Sequence, residues 1–231
     1  MTKSFLFTTY ALVILLSAYL GISIYEHQTV SRKIEIINEP IIQYEIEEPV
    51  TDLTVIVKPD YNAFIESQAT KAGVSVDNAD ELTTMIKQKA YEYDLPDYIA
   101  FAIVNTESDF YVEAKQQRTN CVGLCQVSQK CLDEYNDKMS SDLTLDDVYC
   151  DIEKNLDVGF WYFNRLLTAY GAAYSIDDFD DAYLAYNVGP VNYKKYKSHY
   201  QNNKMPDGSK YNAKQRWAAK KDVWQNFLKK C

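Results

Sequence analysis

Three short segments of this chain carry side chains that could do chemistry: Glu107-Ser108-Asp109-Phe110, Gly123-Leu124-Cys125-Gln126 and Ala185-Tyr186-Asn187-Val188-Gly189-Pro190. The acid is the informative one. Glu107 closes a run rich in Ile99, Ala100, Ala102, Ile103 and Val104, so its carboxyl leaves an apolar wall at the C-terminal, negative end of a helix dipole. Both surroundings disfavour the charged form, which is how a carboxylic acid stays protonated near neutral pH. A proton held there suits general-acid attack on a leaving oxygen, as in breaking a glycosidic bond. One acid is enough when the substrate supplies its own nucleophile.

The elements that must position these groups read as helices. Asp80 can cap a helix through Tyr93, with Leu82, Met85, Ile86 and Lys89 or Ala90 on one apolar face. Leu95-Pro96-Asp97 ends it and starts the next, Tyr98 to Glu107, whose small apolar residues mark it as the buried helix. Asn155-Leu156-Asp157-Val158-Gly159, Trp161-Tyr162-Phe163 and Leu166-Leu167 read as core-packing residues. Tyr186 and Asn187 fall at the end of another helix, with Gly189 expected in the left-handed cap. The fold class expected is all-α.

In order and spacing the segments resemble the soluble lytic transglycosylases, relatives of goose-type lysozyme. The Glu-Ser pair is matched by Glu107 and Ser108, the aromatic two residues on by Phe110, the Gly-Leu-Met-Gln turn by Gly123 to Gln126, the Asn-Ile-x-x-Gly-x-x-Tyr-Leu-x-x-Leu helix by Asn155 to Leu167, where the resemblance implies that Gly159 allows close helix packing, and Ala-Tyr-Asn-x-Gly by Ala185 to Gly189. The likeness covers about residues 82–200. It implies a lysozyme-like domain that cuts peptidoglycan glycan strands between N-acetylmuramic acid and N-acetylglucosamine, needs no metal or organic cofactor, and leaves a 1,6-anhydro sugar. It assigns Glu107 as the single catalytic acid and base. Ser108, Gln126, Tyr186 and Asn187 become cleft residues, with the Tyr186 hydroxyl near the acid. The chain departs from the pattern where Asn120-Cys121 replaces Gly-Ala, Cys125 replaces Met and Ser128 replaces Pro. Rival readings are a hydrolytic goose-type muramidase, whose second acid would be Asp109, Glu113 or Asp133, and a silent glycan-binding subunit of a cell-envelope assembly.

The whole chain sets the frame. At 231 residues, 47% hydrophobic and 14% aromatic, it can bury one ordinary core and carry a tether, which excludes a disordered protein. Its net charge of -9 speaks against a general nucleic-acid binder. The charge is uneven: residues 192–231 hold eleven Lys/Arg against two Asp/Glu, interleaved with aromatics from Tyr193 to Phe227. That pattern reads as an amphipathic helix with a solvated lysine face and an aromatic core face.

Phe5 to Ile24 is free of charge, close to the ~20 residues that span a bilayer. An uncleaved anchor is favoured over a signal peptide because the apolar run is long and no small-x-small cleavage triplet stands out. The organisation expected is therefore residues 1–25 as cytoplasmic tip and transmembrane anchor, 26–79 as an acidic stalk, and 80–231 as the catalytic domain outside the membrane. The alternative for the stalk is a small strand element packed on the domain. The partners expected are peptidoglycan and the membrane, with secretion, conjugation and phage-entry assemblies as the settings the resemblance allows. Cys121, Cys125, Cys131 and Cys150 cluster within thirty residues and are disulfide candidates. Their spacing lacks the paired knuckles of a structural zinc site.

Overall fold

Pro96 and the apolar residues that follow it dictate the centre of the molecule. In the computed structural model, which describes residues 59–229, Pro96 caps a helix at Asp97–Glu107 in which Ile99 through Thr106 are all buried. This is the innermost helix, as its composition requires, because it has no face that gains from water.

The other elements, in chain order, are α1 (Tyr61–Lys71), α2 (Ala79–Glu92) and α3, the central helix just described. A two-residue hairpin follows, β1 (Lys115–Gln116) against β2 (Cys121–Val122), antiparallel with Gln116 opposite Cys121. Then come α4 (Gln129–Met139), α5 (Leu145–Val148), α6 (Ile152–Leu167), α7 (Gly171–Tyr174), α8 (Phe179–Val188), α9 (Pro190–Gln201) and α10 (Ala213–Lys229). The described part is thus mainly helical, as expected. α6 touches α2, α4 and α8, while α10 lies along α3 and also meets α8.

The lysine-rich tail folds as its pattern predicts. Trp217 and Trp224 of α10 are 0% exposed, and Trp224 is ringed by Phe101 at 4.5 Å, Phe64 at 4.8 Å, Phe227 at 5.6 Å and Phe110 at 5.8 Å between ring centroids. Aromatic contacts of this kind add about 0.5–1.5 kcal/mol each beyond their buried area. The helix is therefore bolted into the core through its apolar stripe.

Three expectations change. The packed domain begins before residue 80: Ile65 and Ala69 of α1 are buried and Phe64 stacks on Phe227 at 4.1 Å, so 61–71 belongs to the domain and not to a stalk. The cap of α2 is Asn78, whose Oδ1 accepts from the Glu81 N–H at 3.1 Å while its Nδ2 donates to Glu81 Oε2 at 2.9 Å. Asp80 instead sits in the first turn, where the helix dipole favours it. Gly189 ends α8 at φ 82°, ψ 143°, outside the left-handed helical region, and feeds directly into α9 through Pro190. The apolar run 5–24 and the part of the proposed stalk up to residue 58 lie outside the described residues. Among the described residues no helix is long and apolar enough to cross a membrane.

Candidate active site

Glu107 is the last residue of α3. Burial pushes its carboxyl up from the usual carboxylate range to about 7, against the pull of a hydroxyl bond from Tyr183 and the positive charge of Arg216. The Tyr183 hydroxyl donates to Glu107 Oε1 at 2.8 Å. Burial first, then the Glu107 charge, holds the Tyr183 phenol well above its ordinary pKa, so it remains a donor. Its ring lies flat on Trp217, 4.4 Å between centroids and 5° between planes.

Directly behind the acid the chain reverses through two left-handed residues that are not glycine, Asp109 at φ 50° and Phe110 at φ 69°. Such a pair is costly for L-residues, about 1 kcal/mol or more each, and the surroundings must hold it. Asp109 Oδ1 accepts from Asn105 Nδ2 at 3.0 Å and from Lys220 Nζ at 2.9 Å. The Phe110 side chain is fully buried against Trp224. Ser108 Oγ donates to the Val104 carbonyl at 3.1 Å, tying down the helix end and not the carboxyl.

The Gly-Leu-Cys-Gln turn is built from the other side by Asn155 of α6. The Cys125 N–H donates to Asn155 Oδ1 at 2.8 Å, and Asn155 Nδ2 donates to the Val122 and Val148 carbonyls, both at 3.0 Å. Two glycines make the fit possible. A Cβ on Gly123, at φ 73°, would stand 2.1 Å from Asn155 Nδ2, and one on Gly159 would stand 2.3 Å from the Cys125 Cβ. Gln126, itself at φ 49°, donates its side-chain amide to the Ala114 carbonyl at 3.2 Å and the Gly123 carbonyl at 3.0 Å.

The predicted residues take altered jobs. Burial in the first place, with the Glu107 charge contributing to each, pushes the Cys125, Tyr186 and Tyr211 groups upward. The hydroxyl on Glu107, however, comes from Tyr183 and not from Tyr186. Tyr186 Oη donates to the Cys125 carbonyl at 2.7 Å, joining α8 to the turn. Asn187 is exposed and its Oδ1 accepts from Tyr211 Oη at 2.9 Å. Sequence reasoning missed Tyr183, Tyr211, Arg216 and Trp217. A signal existed for the first, since Tyr183 lies one helical turn before Tyr186 on the same face.

The disulfide expectation is corrected: Cys121, Cys125, Cys131 and Cys150 are all free thiols. They serve different places. Cys125 packs on Gly159, Cys131 is buried in α4, the Cys121 thiol points to the Thr119 carbonyl at 4.0 Å, and Cys150 is exposed in a left-handed loop position at φ 63°. Burial, as the main cause, pushes the Cys125 and Cys131 thiols upward, so both are poor nucleophiles. Of the rival second acids, Asp109 is bound by Lys220, Asp133 is exposed and accepts from Gln129 Nε2 at 2.8 Å, and Glu113 accepts from Tyr111 Oη at 3.3 Å. Glu113 also lines a separate cavity of about 660 Å³ with Val74, Val76, Leu82 and Ile152, to which Glu107 does not contribute.

The family model described as Transglycosylase SLT domain matches residues 84–207 of this chain. Among solved structures, the chain is similar to an inactive mutant of the lytic transglycosylase Slt from Pseudomonas aeruginosa, at 19% identity and a TM-score of 0.42, covering 63% of this chain and 22% of that one. The chain thus spans less than a quarter of that relative's length. No curated protein matches it.

Proposed function

The chain belongs to the Transglycosylase SLT domain family, and from that premise we propose that it is a peptidoglycan lytic transglycosylase with Glu107 as its only acid and base. In this reading the protonated carboxyl gives its proton to the oxygen that bridges N-acetylmuramic acid to N-acetylglucosamine, and the C1–O bond breaks. The carboxylate left behind takes the proton of the muramoyl 6-hydroxyl as that oxygen bonds to C1. The product is a 1,6-anhydro sugar, and no water is consumed.

The observation that carries the reading is the Glu107 carboxyl itself, poised at about 7 by burial and ready both to give and to take a proton near neutrality. The commitments of Asp109, Glu113 and Asp133 to other partners favour it over a hydrolytic muramidase, which needs a second group to position water. Glu107→Gln should cut the release of glycan fragments from peptidoglycan at least ~1000-fold while the variant still unfolds in one cooperative thermal transition. Retained activity would remove Glu107 from the mechanism. Mass spectrometry of the released fragments then decides the reaction, because the anhydro product is lighter than the hydrolysed one by one water.

The reading extends to place. A peptidoglycan-cutting domain meets its substrate outside the membrane, and the uncharged segment 5–24 would tether it there. Recovery of the full chain in the soluble fraction after cell lysis would overturn the tether without touching the chemistry.

A further inference from the structure

The residues that hold the acid come largely from α10, which lies beyond the segment that the family model matches, 84–207. Three side chains of that helix reach the supports of the acid, and a fourth acts on it by charge. Trp217 carries the Tyr183 ring on its face and donates its indole N–H to Asp180 Oδ1 at 2.7 Å. Lys220 binds Asp109, two residues past the acid, at 2.9 Å. Trp224 packs on Phe110 and donates to Asn105 Oδ1 at 3.3 Å, and Asn105 in turn donates to Asp109. Arg216 is exposed, and its charge acts on Glu107 without an ion pair between them.

Resting on the reading of Glu107 as the acid, we propose that α10 is the positioning element of this active site: it fixes Tyr183 on Glu107 Oε1 and leaves Oε2 as the proton-carrying oxygen. The geometry gives the two carboxyl oxygens unequal roles. A donor 2.8 Å from Oε1 stabilises a lone pair there, and so the transferable proton resides on Oε2. Because the Tyr183 ring is clamped by Trp217 and the turn behind the acid is clamped by Lys220 and Trp224, neither the carboxyl nor its donor is free to rotate away. Preorganisation of this kind is what turns a buried acid into a directed one.

The groups that face the carboxyl come from three places. Tyr183 and Tyr186 belong to α8, Cys125 to the turn, and Tyr211 and Arg216 to the α9–α10 connection and α10. The four hydroxyl and thiol groups among them stay neutral, their pKa values raised by burial first. Arg216 therefore supplies the positive charge in this set. Both it and Tyr183 favour the ionised acid, so removing either raises the pKa of Glu107 and carries the alkaline limb of activity to higher pH.

The test uses the full chain and peptidoglycan as substrate, with rates over a range of substrate at pH 7 to separate kcat from KM and initial rates at low substrate, which follow kcat/KM, across pH 5–9. Tyr183→Phe keeps the ring on Trp217 and removes only the hydroxyl. It should lower kcat about tenfold, leave KM unchanged and move the alkaline limb up by about half a pH unit or more. Arg216→Gln, at an exposed position, should move the limb the same way with a smaller loss of kcat, and Arg216→Lys should restore it. If Glu107→Gln abolishes activity while Tyr183→Phe and Arg216→Gln keep the wild-type limb and kcat, α10 is only a structural strut and the proposal is wrong. If Glu107→Gln stays active, the reading beneath it fails first.

Discussion

The acid and the Gly-Leu-Cys-Gln turn are held by different means. The turn is held by one buried side chain, Asn155 at 1% exposure, and by two glycines that let backbone and helix approach within distances no Cβ could occupy. The acid is held by long side chains reaching from a helix more than a hundred residues downstream, two of them buried tryptophans and one an ion pair that still touches water: the Lys220 and Asp109 side chains are 28% and 35% exposed. A support buried on every side fixes position and is expensive to disturb. A half-exposed support contributes little to stability but still sets the orientation and charge of what it touches. The molecule thus holds the turn by buried contacts alone, and the acid by buried aromatic rings together with an ion pair open to water.

Asn155→Ala is the sharpest attempt to break this contrast. It leaves the buried Cys125 N–H and Val148 carbonyl without partners, while the Val122 carbonyl keeps the Val127 N–H at 2.9 Å, at roughly 1–3 kcal/mol for each orphaned group, less what water recovers in the space left behind. A loss of about 4 kcal/mol in a denaturant titration is expected, large against a typical total of about 5–15 kcal/mol. A loss below about 1 kcal/mol would show that the turn does not depend on its buried amide.

The second attempt works on the acid side and uses pH. The Glu107 pKa is raised to about 7 in the folded protein, above the ~4.3 of an unfolded chain. A raised carboxyl stabilises the fold fully below the unfolded value, and that contribution is lost as pH rises through the folded one. The stability of the wild type relative to Glu107→Gln should therefore fall by up to about 3 kcal/mol between pH 4.5 and 7.5. Comparing the two proteins at each pH cancels the carboxylates shifted the other way, such as Asp157, which Lys89, Tyr93 and Tyr135 stabilise in its charged form. A difference that stays flat with pH would mean that the acid is solvated, and the contrast between the two sides would disappear.

What the sequence revealed divides along the same line. The central helix was legible to within a residue because Pro96 starts it and an unbroken apolar run can only be buried. The close approach at Gly159 was legible because a glycine inside a helix is costly unless something needs the space. The acid's environment was hidden because it depends on contacts that no local pattern carries. The segment Tyr-Asn-Ala-Phe-Ile-Glu-Ser-Gln-Ala-Thr-Lys, α1, follows a proline-punctuated acidic stretch, and the distant Phe101, Trp224 and Phe227 give its aromatic residues a place to pack. Tyr183 was overshadowed by Tyr186 because the motif gives weight to the residue beside the Asn, whereas the helix presents both tyrosines to the same side. The cysteines misled for a related reason: closeness in sequence says nothing about whether two thiols meet.

The smallest of the expected effects tests the turn at a single contact. Gly159→Ala should gain up to about 1 kcal/mol of helix propensity and lose more by overpacking, because its new Cβ would lie 2.3 Å from the Cys125 Cβ. A net destabilisation of about 1–2 kcal/mol is expected. Cys125→Ala keeps the offending Cβ and should not relieve it, whereas Cys125→Gly removes it and should restore most of the loss in a double-mutant cycle. Relief by Cys125→Ala would mean that the sulfur, whose distance to the new Cβ is 2.6 Å, is the real obstacle. Strict additivity would mean that α6 and the turn move apart freely. Only the pattern in which glycine rescues and alanine does not supports a turn fixed by backbone approach, and it would explain why a cysteine, slimmer than the family's methionine, is tolerated at this position.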